Sequence, residues 1–306
     1  MKTPTLFQTG LTLFRLIAVL FSSFAAIITT MLPMYLYYSY PISQLLLVLG
    51  LLLFGTLLIH GFLTHVLNDY TDTISGTDGK SPGILSGGSR VVQKGMMTTD
   101  LLRQIGIISM SAIAAFIFVF FFLGFIKIAT LLAVGLWSAA AYSLPSIRLS
   151  YYPWIGEWGA TFPAIFSVGF GGAWLLTDQP PLWAFQNALI ISLFSIAWVM
   201  VHHIPDRFAD EQASPPKVTC VVWMKQKFGD AYSRFPAVLY FFMGGVCSLW
   251  LFPERTTAAV GILALSIVSI LIVLRLDIKD PIHVSNGEKM LLILTLVAAV
   301  WIGIFI

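Results

Sequence analysis

Long apolar stretches separated by short polar loops run through the whole chain. Nine of them reach the length of about 20 residues that a helix needs to span the hydrocarbon core of a bilayer. Most consist of leucine, isoleucine, phenylalanine and alanine, so their helices would be apolar on all sides. The pattern predicts an all-α polytopic membrane protein, with nine transmembrane helices bundled into a single domain over 1–306. The predicted spans are 14–38, 44–67, 101–123, 126–144, 158–177, 182–202, 235–252, 257–275 and 289–306.

Composition excludes most other classes of protein. The chain is 58% hydrophobic and only 10% charged, with a mean hydropathy of +0.89. No water-soluble packing hides that much apolar surface, so a cytosolic enzyme and a disordered chain are excluded. Cys220 and Cys247 do not form a metal or redox motif and cannot staple a fold of this length. The net charge of +3 gives no reason to expect a nucleic-acid partner.

The charged residues divide unequally between the two sides of the predicted membrane. If the N-terminus and the loops after the even-numbered spans share one side, that side holds fifteen lysines and arginines and the other holds two. The positive-inside rule then predicts a cytoplasmic N-terminus and, with nine spans, an outer C-terminus in the cytoplasmic membrane. The first span has the length of a retained helix, not of a cleaved signal peptide. The longest predicted cytoplasmic loops, 68–100 and 203–234, carry most of the polar residues.

Two acidic clusters follow the second and the sixth span. Asp72 and Asp206 are 134 residues apart, and four spans per unit return the chain to the same side. This spacing predicts two pseudo-repeated four-helix units, with the clusters facing each other across the bundle axis. In a continuous helix, residues four apart share a face, as in the pairs Asn68/Asp72 and Asp206/Asp210. The candidate metal ligands are Asn68, Asp69, Asp72, Asp78, Asp206 and Asp210.

Carboxylates at such spacing repel each other, by about 4 kcal/mol for a pair 4 Å apart at an effective dielectric near 20. A cation has to offset that repulsion. Oxygen ligands with open coordination positions suit Mg²⁺, which keeps several waters and is commonly completed by substrate phosphates. The two clusters therefore predict a Mg²⁺ site that holds a diphosphate.

Basic and aromatic residues extend this prediction to a substrate. Glycines in the segment 86–90 allow backbone N–H groups to converge on an anion. Metal and cations would stabilise the diphosphate as it leaves an allylic carbon. The apolar bundle would hold an isoprenoid tail, and some rings could stabilise a carbocation. The candidate diphosphate-binding residues are Lys80, Arg90, Lys94, Arg148, Lys217 and Tyr142.

Two adjacent histidines, His202 and His203, precede the second cluster. His203 lies three residues before Asp206 and so could share its face. We take both histidines as candidate acid–base residues, and Asp72 and Asp206 as the central catalytic carboxylates. His60 and His283 are expected to be structural.

At these motifs the chain resembles the UbiA superfamily of intramembrane prenyltransferases, and most closely its 1,4-dihydroxy-2-naphthoate polyprenyltransferase branch. Residues 68–78, NDYTDTISGTD, fit the NDxxDxxxGxD pattern of that branch, and GGSRVVQKG after it resembles GPxRxxQxG. Residues 142–157, YSLPSIRLSYYPWIGE, are similar to the family's YxxPPLRLxYRGLGE loop. Asp206 and Asp210 match the second DxxxD motif, and the segment 217–219 looks like GKxT.

The resemblance implies a Mg²⁺-dependent enzyme that binds a polyprenyl diphosphate within a membrane bundle. It places Asn68, Asp72, Asp78, Asp206 and Asp210 in the metal-binding set. It also implies that an electron-rich aromatic ring captures the allylic cation and then loses a proton, as in the biosynthesis of lipoquinones such as menaquinone.

One position departs from the branch. Where the naphthoate enzymes read NNxRD, this chain reads HHIPD, so Pro205 replaces an arginine and supplies neither charge nor donor. An acidic aromatic acceptor would lose a cationic partner there. A terpene cyclase that uses the same metal site without an acceptor therefore stays open. So does a third interpretation from another class, an ion-coupled transporter whose carboxylates bind the coupling ion.

Overall fold

The computed structural model describes residues 16–82, 86 and 88–306, with side chains from Ser22 onward. Lys2 and Arg15, which entered the charge comparison, lie outside the described residues. The described chain is helical, with these helices in order: α1 Leu16–Tyr37, α2 Ile42–Ser75, α3 Thr99–Phe122, α4 Ile126–Ser143, α5 Glu157–Leu176, α6 Leu182–His202, α7 Arg207–Glu211, α8 Cys220–Phe228, α9 Asp230–Leu251, α10 Thr256–Leu274 and α11 Pro281–Ile304. The prediction of an all-α polytopic membrane protein is confirmed.

Eight helices in the described part of the chain are long and apolar enough to cross a membrane, namely α2 to α6 and α9 to α11. Helix α1 is apolar as well, but the part of it with described side chains, Ser22–Tyr37, is shorter than a full span. Eight spans are thus observed where nine were predicted. Their apolar side chains are widely exposed, as expected for helices that face lipid.

Two predicted span boundaries were wrong. The second span was predicted to end at 67, but α2 continues to Ser75 and includes the first acidic motif. The last span was predicted to begin at 289, but α11 begins at Pro281, with the Asp280 carboxylate accepting the Ile282 N–H at 2.9 Å as a helix cap. Hydropathy marks where lipid begins, whereas a helix continues as long as its backbone hydrogen bonds can form.

The chain folds as two compact units whose segments alternate along the sequence. The first, here called the acidic unit, contains Leu57–Thr161 and His203–Ser233, together with the described residues before Phe21. The second contains Phe21–Thr56, Phe162–His202 and Arg234–Ile306. Both acidic motifs therefore belong to one unit. The predicted four-helix repeat and the single domain over 1–306 stay predictions.

In the acidic unit, the part of α2 from Leu57 onward packs against α3 and α4. Leu63, Leu67, Ile113 and Ala139 form one buried cluster there. Gly106 on α3 lets the helices approach closely, because a Cβ at that position would lie 3.0 Å from the Leu67 side chain. Two stretches of π-helix, Leu57–Thr64 and Glu157–Thr161, lie against α4. Such wider turns are frequent at functional sites.

In the second unit, α6 is the central helix, with most of its spanning segment buried. Phe194 on α6 packs edge-to-face on Phe241 of α9, with ring centroids 5.3 Å apart. Asn187 donates to the carbonyl oxygens of Thr29 and Ile302 at 3.0 and 3.2 Å, which connects three helices through one amide. Cys220 and Cys247 are both free thiols.

Candidate functional site

The first acidic motif occupies the last turns of α2. The Asn68 amide donates to Asp72 Oδ2 at 2.9 Å, which confirms that these residues share a face one turn apart. The helix ends at Ser75, and Gly76 follows in the left-handed conformation with φ of +81°. That reversal turns the chain back, so that the Asp78 N–H donates to the Asp72 carbonyl at 3.4 Å. Asp78 thus lies in a turn beside the helix.

Asp69 is also on α2, but other groups of the chain already surround it. Its carboxylate accepts the Ser89 N–H at 3.2 Å and the Ser89 hydroxyl. The side chain is buried, with 1% of its surface exposed. This arrangement attaches the loop after α2 to the helix, so Asp69 has a structural partner that the sequence did not reveal.

Asp78 is buried close to other carboxylates. Within the described part of the chain, neither of its buried carboxylate oxygens has a hydrogen-bond partner. Burial raises the pKa of Asp78 to about 8, and the neighbouring carboxylates of Asp72, Asp69 and Asp206 act in the same direction. The Asp78 carboxylate lies directly against Gly88, where a Cβ would be 2.6 Å from Oδ1. A glycine is needed at 88 for this reason and for its φ of +67°.

The second acidic motif lies on the short helix α7. Asp206 precedes the helix and accepts the Asp210 N–H at its backbone carbonyl at 2.8 Å. The Asp206 carboxylate accepts the Ser86 hydroxyl at 3.0 Å and also the Ser81 hydroxyl. Among the described residues, neither carboxylate oxygen of Asp210 has a hydrogen-bond partner, although Asp210 is 1% exposed.

Lys217 lies between the two motifs. Its Nζ is 3.1 Å from both carboxylate oxygens of Asp72 and 3.8 Å from Asp210 Oδ1. The side chain is only 4% exposed. Burial by itself lowers the pKa of Lys217, but the carboxylates of Asp72 and Asp210 outweigh it and raise that pKa well above the ordinary value. Lys217 is therefore an ammonium ion that contacts both motifs.

His203 extends this cluster toward α4. Its Nε2 lies 3.1 Å from the Tyr142 hydroxyl, and its Nδ1 lies 4.0 Å from Asp210 Oδ2. Tyr142 and His203, both predicted from sequence, are thus brought together beside the second motif.

His202 ends α6 and has a carboxylate partner of its own. It belongs to the second unit, where its Nδ1 lies 2.5 Å from Glu288 Oε1 on α11. The Trp198 indole stacks on the imidazole and donates to the Glu288 carbonyl at 3.1 Å. The prediction did not include Glu288, because the last span was taken to begin one residue after it.

The nearest arginine to the altered motif does not restore the charge lost at Pro205. Arg207 is buried and forms a two-pronged ion pair with Asp230, at 2.6 and 3.0 Å. Such a pair occupies the guanidinium with a carboxylate of the same unit. Arg207 therefore does not supply the positive charge that an arginine at position 205 would carry.

The remaining basic candidates lie around the acidic motifs in different settings. Lys80 is exposed and donates to the Gln212 carbonyl at 3.0 Å, while Lys94 donates to the Ser89 carbonyl at 3.3 Å. Arg90 donates to the Ser81 carbonyl, and Arg148 lies 5.2 Å from the centre of the Tyr151 ring. Both arginines have positive φ, at +59° and +34°. Lys217 forms ion pairs with two predicted metal ligands, Asp72 and Asp210.

The sequence analysis missed three serines that hold the acidic side chains. Ser81 and Ser86 donate to Asp206, and Ser89 donates to Asp69. Serine is common in loops, so no spacing marks these residues in advance. Their roles depend on how the loop after α2 folds over the motifs.

The donor set fits Mg²⁺ in its chemistry. All five aspartates are buried, and the two that lack hydrogen-bond donors among the described residues, Asp78 and Asp210, offer oxygen atoms that a hard cation would satisfy. No group of three or more histidine, cysteine or acidic side chains in the described chain is already arranged around one metal position. Lys217 stands instead between Asp72 and Asp210.

Comparison with known proteins gives no match: no protein-family model, no curated protein and no solved structure is similar to this chain. The resemblance to the UbiA superfamily therefore rests on the motifs themselves and stays a prediction. The fold supports membership of the broad class of polytopic helical membrane proteins.

Proposed function

We propose that this protein is a Mg²⁺-dependent prenyltransferase of the cytoplasmic membrane, which moves a polyprenyl group from its diphosphate to a small aromatic acceptor in lipoquinone biosynthesis. One observation carries the proposal. Two sequence motifs more than a hundred residues apart meet in one unit, where Lys217 contacts both of them. Buried carboxylates so arranged call for additional cations.

In this proposal Asp78 and Asp210 hold the metal through their unsatisfied oxygens, and Asp72 and Asp206 complete the acidic set. Asn68 orients Asp72 through its amide. When bound, Mg²⁺ would neutralise the charge that develops on the departing diphosphate. Orientation of the anion falls to the candidate diphosphate-binding cations, among which Lys217 is buried with 4% of its surface exposed.

The proposed reaction breaks the bond between the allylic carbon and the diphosphate oxygen, and diphosphate leaves with the electron pair. An electron-rich carbon of the acceptor forms the new bond to the allylic cation and then loses a proton. His203, hydrogen-bonded to Tyr142, remains the candidate acceptor of that proton. His202, the other candidate acid–base residue, pairs with Glu288. In this proposal the apolar helices of the chain would keep out water, which would otherwise capture the cation.

A terpene cyclase is the second candidate. It is favoured by the lack of a cationic replacement at Pro205, because Arg207 is already paired with Asp230. A cyclase would need the same diphosphate site and no acidic acceptor. The transporter interpretation is less well supported, because both acidic motifs gather in one unit around a buried lysine.

The test uses purified protein in nanodiscs with labelled prenyl diphosphates of several lengths, with and without Mg²⁺ and with and without aromatic acids. The proposal predicts Mg²⁺-dependent release of diphosphate and a prenylated aromatic product. Asp72→Asn and Asp206→Asn should each abolish release. Glu211→Gln, a neighbouring acid on α7 that pairs with Lys225, should leave it intact.

A cyclic hydrocarbon formed without any acceptor would replace the transferase by the cyclase. Release that persists in both aspartate variants would refute the enzyme in either form. An N-terminus found on the outer face by site-directed labelling would refute the proposed orientation.

A further inference from the structure

The backbone places Lys217 between the acidic motifs and holds it there from both sides. The Lys217 N–H donates to the Asp210 carbonyl at 2.9 Å. Three residues earlier, the Ser214 N–H donates to the Ser75 carbonyl at the end of α2, also at 2.9 Å. The segment is thus attached to the helix that carries each motif, and its lysine side chain extends into the space between them.

In that place the ammonium group does what a bound cation would do. It faces both oxygens of Asp72 and one oxygen of Asp210, and the Asp78 carboxylate is close enough for their charges to interact. A buried pair of carboxylates at such distances needs a positive charge between them. Lys217 supplies that charge when no metal is present.

A divalent cation bound by the same carboxylates would meet this ammonium at close range. Two positive charges at such a distance repel each other strongly in a buried site. The lysine side chain has four rotatable bonds, and its compact charge can move without breaking the backbone attachments. Metal binding at these carboxylates and the Lys217–Asp72 ion pair would therefore oppose each other.

We propose that Lys217 is an exchangeable counter-ion: a divalent metal binds the acidic motifs only by displacing the Lys217 ammonium from Asp72 and Asp210, and the displaced lysine then contacts the anionic end of the substrate. This inference rests on the proposed function and adds the order in which the lysine, the metal and the substrate occupy the site. The lysine keeps the motifs assembled while they are empty. It then moves from the carboxylates to the diphosphate as metal and substrate enter.

The consequence is a measurable competition. Removing the charge with Lys217→Met should tighten binding of Mn²⁺, used as the spectroscopic substitute for Mg²⁺, by roughly tenfold or more. Lys217→Gln should do the same while keeping a hydrogen-bond donor for Asp72. Lys217→Arg keeps the charge and should not tighten binding. Lys225→Met is the matched control, because Lys225 lies eight residues after Lys217, on α8, and pairs with Glu211.

Free Mn²⁺ is measured by electron paramagnetic resonance as it is titrated into purified protein without substrate. In parallel, the melting temperature of each variant is followed as Mn²⁺ is added. Both neutral variants should be less stable than the wild type without metal and should gain more from Mn²⁺. Turnover assays should show a lower Mg²⁺ requirement but a higher KM for the prenyl diphosphate. If Lys217 were only structural, its neutral variants would need more Mg²⁺ and would also have a higher KM for the prenyl diphosphate.

Unchanged or weaker Mn²⁺ binding in both neutral variants would overturn the exchange. If Asp72→Asn abolished Mn²⁺ binding in that same experiment, the proposed function would stand and only the inference would fail. If neither the wild type nor any variant bound Mn²⁺, the proposed function would fail with it.

Discussion

Gly88 gives a sharp test of whether Asp78 belongs to a metal site. Two glycines in the loop after α2 have nearly the same positive φ, +67° at Gly88 and +65° at Gly95. Alanine at either position should cost about 1–2 kcal/mol of stability, because an L-residue is strained in this region. Only Gly88 has an obstacle: a Cβ there would lie 2.6 and 2.7 Å from the two carboxylate oxygens of Asp78, whereas nothing lies within 4 Å of a Cβ at Gly95.

Gly88→Ala must therefore displace the Asp78 carboxylate, and Gly95→Ala need not. Chemical unfolding should show a loss of stability in both variants, at least as large in Gly88→Ala as in Gly95→Ala, because displacing Asp78 adds to the shared backbone strain. Mn²⁺ titration should separate them, with affinity reduced roughly ten- to hundredfold in Gly88→Ala, as when the surroundings of a metal ligand are disturbed. Gly95→Ala should bind Mn²⁺ as the wild type does. Equal Mn²⁺ affinities in the two variants would refute the assignment of Asp78 as a ligand.

Four further substitutions test the roles of other residues. His203→Asn should slow prenylation by roughly a hundredfold or more with little change in melting temperature. His202→Asn should mainly lower the melting temperature, because Glu288 loses its partner. Product formation and thermal unfolding measure the two effects, and the reverse pattern would contradict these roles. Arg255→Met should lower the free energy of unfolding by about 2 to 4 kcal/mol. The buried guanidinium donates to two carbonyls near the end of α11 and to one amide oxygen, and methionine removes these hydrogen bonds. A variant as stable as the wild type would refute this stabilising role. Ser89→Ala should speed proteolysis of the loop after α2 by removing a hydroxyl bound to a buried carboxylate, and an unchanged cleavage rate would contradict its anchoring role.

The helices could be predicted because lipid imposes a single requirement on them. A stretch of apolar residues of the right length is nearly sufficient, and α3 to α6 fall within two residues of their predicted bounds. The helix ends that carry the acidic side chains could not be located from the apolar stretches. Asn68, Asp69 and Asp72 are polar but remain helical, because the backbone hydrogen bonds of α2 continue to Ser75. Glu288 was missed on α11 for the same reason.

The candidate site was predictable in its residue types but not in its pairings. The acids were found because carboxylates clustered beside an apolar span are unusual, and Lys217 because it is a cation near them. Its position between Asp72 and Asp210 depends on backbone bonds from Ser214 and Lys217 to two separate helices. Arg207 shows the converse, since its charge is used by Asp230, more than twenty residues away. Such long-range partners have no signature in a single sequence.

The central claim is that the two acidic motifs together hold one metal-bound diphosphate. Its most direct test is electron–nuclear double resonance of Mn²⁺ on the purified protein, loaded with a non-cleavable prenyl thiolodiphosphate and freed of unbound metal. We expect phosphorus-31 couplings on the protein-bound Mn²⁺ that disappear in both Asp78→Asn, from the first motif, and Asp210→Asn, from the second. Protein-bound Mn²⁺ without phosphorus coupling, or coupling that survives the loss of either motif, would contradict it.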